Sequence, residues 1–379
     1  MREVRVIGTG MIRFGKYPEK TLADIAWPAV LQALSEAGVE RKQVEAAWCG
    51  TALGGMMSGQ RILKPLGMTS IAITNVENAC ASSATAFRDG YIAVGAGVYD
   101  CALIIGAEKL TKLRGGPVPV EQEDWEASYG LMMPALYAMR ARRYLHDHNV
   151  GPEVLAQVSV KARRHGLRNA DAQIQKEITL EEALASRPIA EPLRIADCCP
   201  TGDGAAAIVI ASAEFARKVG RPGVRVVSST LNSGKFITGF RDFTSPEITK
   251  RSAHDAYEAA GIGPEDVDLA EVHDAFSIAE LLYYESLGFC PAGQAPKLLA
   301  DGETSLGGRI PVNPSGGLLS KGHPVGATGA AQMVEIVRQL EGRAGARQVE
   351  DAKVGLAHVT GGGISGLDHG ACAIHIFAR

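Results

Sequence analysis

The chain has 379 residues, 46% hydrophobic and 21% charged, with a formal net charge of −3. That length exceeds one small core and points to two domains or two fused halves. The charge supplies no basic face for nucleic acid or an anionic membrane, and no stretch reaches the roughly 18–20 uncharged apolar residues of a membrane span. MREVRVIGTG runs straight into a strand pattern without the parts of a signal peptide, and HIFAR is not a peroxisomal address, so a cytoplasmic location is the expectation. Cys49, Cys80, Cys101, Cys198, Cys199, Cys290 and Cys372 are scattered and form no C-x-x-C pair. Neither a disulfide framework nor a structural zinc site is expected.

In chain order, VRVIGTG reads as a strand and TLADIAWPAVLQALSEAG as an amphipathic helix stopped by Gly38. VEAAWCGTALGG is a strand entering a glycine-rich loop. A helix runs from Cys80 to about Gly95, and YDCALIIGAEKL is a buried strand. The alternation predicts an α/β fold with a covered sheet. Residues 111–190 break this rhythm, being longer, more charged and helical, and read as an insertion over one face. The sheet pattern resumes with PLRIADCCPTGDGAAAIVIAS, and a second α/β half starts at VRVVSSTLNSG after a connector near 218–223. NPSGGLLSKGHPVGATGAAQMVEIVRQL then stands where the Cys80 helix stood, and AKVGLAHVTGGG answers YDCALIIGAE. The predicted division is 1–110 with 191–220 as one half, 111–190 as the insertion, and 221–379 as the other half.

Four segments carry chemistry. Cys80 lies at a helix start, where unpaired N–H groups and the helix dipole favour a thiolate, so a lowered thiol pKa is expected. The plain alternative is a small core residue among alanines. In EVHDAFSIAE, an apolar stretch delivers His273 to a strand end; otherwise His273 is a surface residue and Asp274 a simple cap. In VNPSGGLLSKGHPVGATG, glycines and prolines fix His323 in a defined loop, suited to a general base or oxyanion donor. Asn313 and Ser315 of that segment are candidate substrate contacts. In GLAHVTGGGISG, a strand is expected to end at His358, and Gly361, Gly362 and Gly363 leave N–H groups free for an oxyanion. No G-K-[ST] follows, so this is not a phosphate loop.

ENACASS, LRIADCCPTGDGAAA, EVHDAF and NPSGGLLSKGHPVGATG together resemble the thiolase superfamily, most closely its sterol-carrier-protein-type branch, across nearly the whole chain. The resemblance implies a five-layer α-β-α-β-α sandwich of two similar halves, with 111–190 as a loop domain covering the CoA chain. It implies a homodimer acting on acyl-CoA, with coenzyme A as co-substrate, no bound cofactor and no metal. Cys80 matches the family's acyl-accepting nucleophile, and His323 the base that takes its proton. His273 stands where many members carry Asn, and with His323 would hold a thioester oxygen. The Cys80 N–H and one from Gly361–Gly363 would hold the acyl-enzyme oxygen. Several members of this branch work with a small OB-fold partner, often with a zinc ribbon; such a partner is an expectation by analogy.

One part of the pattern is missing. Thiolases use a second cysteine as acid/base, either in a C-x-G loop or in an H-D-C-F segment. Here those segments read HVTGGG, with Thr360, and HDAF, with Ala275. Cys372 reads as too far along the last strand, and Cys198 and Cys199 as part of another loop. Three readings follow: a thiolase whose second proton transfer falls to a histidine, with His358 the freer candidate; a retro-aldol carbon–carbon lyase; or a non-catalytic lipid-binding subunit. The intact nucleophile and base favour the first.

Overall fold

The computed structural model describes residues 1–116, 118–121, 123–236, 239–363 and 368–379. Its strands are β1 (Val4–Met11), β2 (Ala46–Gly50), β3 (Ala72–Val76), β4 (Cys101–Lys109), β5 (Pro188–Ala190), β6 (Leu193–Arg194), β7 (Asp203–Ser212), β8 (Val224–Asn232), β9 (Leu269–Glu271), β10 (Val354–Gly361) and β11 (Ala371–Ala378). Apart from the β5–β6 hairpin they form one sheet in the order β3-β2-β4-β7-β1-β8-β11-β10-β9.

That order contains the duplication. Outward from the centre, β1-β7-β4-β2 meets the same run of orientations as β8-β11-β10-β9: antiparallel, antiparallel, parallel. The two half-sheets join where Arg5 and Val6 pair with Arg225 and Val224. Alanine, valine and isoleucine dominate β4 and β7, which are buried almost end to end, as strands covered on both faces must be.

Helices Ser82–Gly95 and Thr328–Leu340 pack on each other between the half-sheets. Small residues permit this. A Cβ on Gly329 would stand 2.9 Å from the Ala84 Cβ, and the Ala330 N–H donates to Ser83 Oγ at 2.9 Å. Helix Leu22–Ala37 covers the outer face of the first half-sheet, opened by a Thr21–Asp24 capping box and closed by Gly38 at φ 64°. Helix Glu247–Ala260 covers the outer face of the second. The result is five layers of helix, sheet, helices, sheet, helix. Among the described residues no helix is long and apolar enough to cross a membrane.

Among the described residues, 111–190 contribute helices Met133–Asp147 and Glu153–Leu167 and no strand of the large sheet. The second helix and the chain after it underpin the second half's loop. Gln173 and Ile174 N–H groups donate to Lys321 O and Ser320 O at 3.0 Å each, and Asn169 Nδ2 donates to Ser315 O at 2.9 Å.

Candidate active site

Cys80 sits in a single 3-10 turn, Ala79–Ala81, at the head of helix Ser82–Gly95. The turn is locked by its neighbours. Ser82 Oγ donates to Ala79 O at 2.6 Å and accepts from the Asn78 N–H at 3.0 Å; Asn78 Nδ2 donates to Thr85 Oγ1 at 2.9 Å. Ala79 is held at φ 48°, a region side chains other than glycine rarely occupy and one that accumulates at functional sites. The glycine loop presses on this turn from β10: a Cβ on Gly361 would lie 2.1 Å from Asn78 O.

His273 follows β9 and is positioned from both sides. The Val272 N–H donates to Asn313 Oδ1 at 2.8 Å. Asp274 takes the Leu318 N–H at 2.7 Å, so its carboxyl caps the short helix Gly317–Ser320 that leads to His323. His323 Nδ1 lies 2.7 Å from Thr328 Oγ1, and that hydroxyl spends its proton on Pro324 O at 3.3 Å. Thr328 therefore accepts from Nδ1–H, which leaves Nε2 of His323 with a free lone pair.

These elements bring Cys80 Sγ and one ring nitrogen each of His273 and His323 within 4.8 Å of one another, with the two imidazoles edge to face at 5.1 Å. Burial pushes the Cys80 thiol up to about 12; backbone N–H groups of Gly362 and Cys80 pull it back only in part. The expected lowering by the helix start is therefore corrected, because desolvation of the thiolate outweighs two N–H donors. Burial also pushes His323 down to about 3 and His273 well below the usual imidazole range. The resting site is a neutral thiol facing a neutral imidazole.

Other expected residues stand elsewhere. Asn313, at φ 54°, uses its side chain on Val272 and on Glu280 Oε2 at 2.7 Å, and Ser315 Oγ donates to Glu271 Oε2 at 2.6 Å. Both are fully buried and hold the loop from within rather than facing the cluster. Lys321 does the same through Glu271 at 2.8 Å.

His358 is not part of the Cys80, His273 and His323 group, although it lies near enough to His273 to help push that imidazole down. β10 does not end at it but continues to Gly361, and side chains alternate across a strand. Val359 packs with Ala81 and Ala84, and Gly361 faces Asn78, so the odd positions face the Cys80 helix. His358 faces the other way, with Nε2 3.1 Å from Thr249 Oγ1 and its ring 4.4 Å from that of Tyr283. Thr360 shares that face, its hydroxyl 3.2 Å from the Tyr283 hydroxyl.

Two contributors gain their roles only from the fold. Thr328, inside the glycine-rich segment, orients His323. Tyr137, in helix Met133–Asp147, stacks on Phe276 at 4.5 Å and bonds His369 Nε2 at 3.0 Å. Only the fold reveals the latter.

The thiolase N-terminal domain family matches residues 4–214, and the thiolase C-terminal domain-like family residues 230–369. The chain belongs to the thiolase family. It is 42% identical to the benzoylsuccinyl-CoA thiolase subunit BbsB of Thauera aromatica, over 96% of this chain and 95% of that protein. An acetyl-CoA acetyltransferase of Methanothermobacter thermautotrophicus is 40% identical over the full length of both. Among solved structures, the Ltp2-ChsH2(DUF35) aldolase superposes with a TM-score of 0.86 at 27% identity, over 100% of this chain and 98% of that one. Membership makes the chain an acyltransferase of thiolase type, with the sandwich fold of that family.

Proposed function

We propose that the protein is an acyl-CoA C-acyltransferase that cleaves or forms a 3-ketoacyl-CoA through an acyl-enzyme on Cys80. The observation that carries this reading is the meeting of Cys80 Sγ with His273 and His323 across the two halves. In cleavage, His323 Nε2 takes the Cys80 proton as sulfur attacks the ketone, so charge separates only as the bond forms. Backbone N–H groups at Cys80 and Gly362 lie by the sulfur, where the developing oxyanion needs donors. His273, buried with Nδ1 unpaired, is a donor toward the thioester oxygen of the second substrate. No metal enters this scheme, and coenzyme A is a co-substrate. A homodimer belongs to the same reading. So does a small OB-fold partner, since BbsB is named a subunit and the aldolase carries a second named component.

The test is intact-protein mass spectrometry after exposure to a panel of straight-chain, aromatic and steroid acyl-CoAs. One acyl group should add to Cys80 and none to the Cys80→Ala variant. Retro-aldol cleavage is the second reading, favoured by the likeness to the aldolase. It requires turnover of a 3-hydroxyacyl-CoA without free CoA and without labelled Cys80; seeing only that activity would replace the acyltransferase reading.

A further inference from the structure

The acyltransferase reading leaves one proton unassigned. Breaking the C2–C3 bond of a 3-ketoacyl-CoA places an electron pair on C2 of the departing thioester, and an acid must protonate it. Position 275 is alanine and β10 contains no cysteine, while His358 lies outside the Cys80, His273 and His323 group with its Nε2 turned to Thr249.

The chain segment ahead of β7 crosses this gap. Cys198 and Phe276 form an antiparallel bridge, and the Cys199 N–H donates to Ala275 O at 3.0 Å. Cys199 thus lies beside the residue that stands where the branch carries its thiol. Its orientation follows from its neighbour. Cys198 is extended, at φ −115° and ψ 137°, and its thiol turns back to Arg194 O at 3.3 Å. In extended chain the next side chain points the other way, away from Arg194. Cys199 and Cys80 are both only partly exposed, and Cys199 lies near enough to Cys80 and Asp274 to be influenced by their charge.

We propose that Cys199 is the second catalytic thiol, moved from position 275 to the segment paired with it. The inference rests on the acyltransferase reading above. Cys80 sulfur, its proton passed to His323, attacks C3. The C2–C3 bond breaks, and Cys199 S–H gives its proton to C2, which releases the shortened acyl-CoA and leaves a Cys199 thiolate. That thiolate takes the proton of incoming CoA–SH, whose sulfur attacks acyl-Cys80. Cys80 departs and recovers its proton from His323, so all three groups return to their starting states. Burial, with Cys198 and Cys80 adding to it, raises the Cys199 thiol well above its usual range, so it rests protonated, as an acid must.

The test uses the full chain and three variants: Cys199→Ala, Cys199→Ser, and Cys199→Ala with Ala275→Cys. The acyl-CoA that labels Cys80 in the panel is used for labelling, and its 3-ketoacyl-CoA homologue for thiolysis. Both single variants should label Cys80 within about two-fold of the native rate yet cleave roughly 10²–10⁴-fold more slowly, the worth of a general acid. Restoring a thiol at position 275 should recover at least about ten-fold of that loss, which a merely structural Cys199 does not predict. Native cleavage by Cys199→Ser, or equal loss of labelling and cleavage in both single variants, would overturn the assignment. If no acyl-CoA labels native Cys80, the acyltransferase reading itself fails, a result separate from any outcome at Cys199.

Discussion

Thr328→Val tests how the base is set. The threonine hydroxyl accepts the Nδ1 proton of His323 at 2.7 Å, inside a site where His323 is 7% exposed and Thr328 fully buried. Valine keeps the shape and removes the acceptor. A buried N–H left without a partner costs about 1–3 kcal/mol, and the ring can escape that cost by moving its proton to Nε2. An Nε2–H pointing at Cys80 is no longer a base. Either outcome charges the reaction with the same penalty, so acylation of Cys80 should slow by roughly 5- to 150-fold, at 1.36 kcal/mol per decade. Rapid-quench mass spectrometry measures that step directly. A Thr328→Ser variant, which keeps the acceptor, should stay within about three-fold of native. Native acylation by the valine variant would refute the tautomer argument and with it the role of His323 as base.

Gly361→Ala should abolish labelling of Cys80 in a protein that still folds, because its Cβ would stand 2.1 Å from Asn78 O and push the nucleophile's turn away; retained labelling would show that the turn tolerates displacement. Burial holds His165, His323, His358 and His375 at about 3, so each is protonated near pH 6.5 in the unfolded chain but not in the folded one. Their contribution is intact above pH 6.5 and falls with acidification by about 2 kcal/mol each at pH 5; urea midpoints should drop steeply between pH 7 and 5, and a flat profile would contradict these burials. Exhaustive chelation should leave Cys80 labelling unchanged; loss restored by zinc would turn the Cys80, His273 and His323 group into a metal site.

The placement of Cys80 and His323 at one site and the repeat within the sheet are legible in the sequence because each depends on local signals. Cys80 lies where loop gives way to helix, His323 is fenced by glycine and proline, and apolar runs of alternating length mark the sheet. Residues whose roles depend on which face they present were not legible in the same way. The glycines after His358 suggest a strand end there, but pairing with β11 carries the strand to Gly361 and period-2 alternation turns the imidazole away. Asn313 and Ser315 share a segment with His323, yet their side chains are consumed by the buried carboxylates Glu280 and Glu271, which no spacing announces. In sequence Cys199 belongs to another loop; its link to Ala275 is one hydrogen bond between segments more than seventy residues apart.

On the acyltransferase reading, the nucleophile Cys80 comes from the first half of the chain and both histidines from the second. A chain emerging from the ribosome therefore exposes Cys80 before any base exists to activate it, and the thiol stays inert until His323 arrives and docks. On that reading, catalytic competence serves as a coincidence detector for complete folding. Two fragments severed near the 218–223 connector should each be unreactive toward acyl-CoA, and labelling should return only when they reassemble.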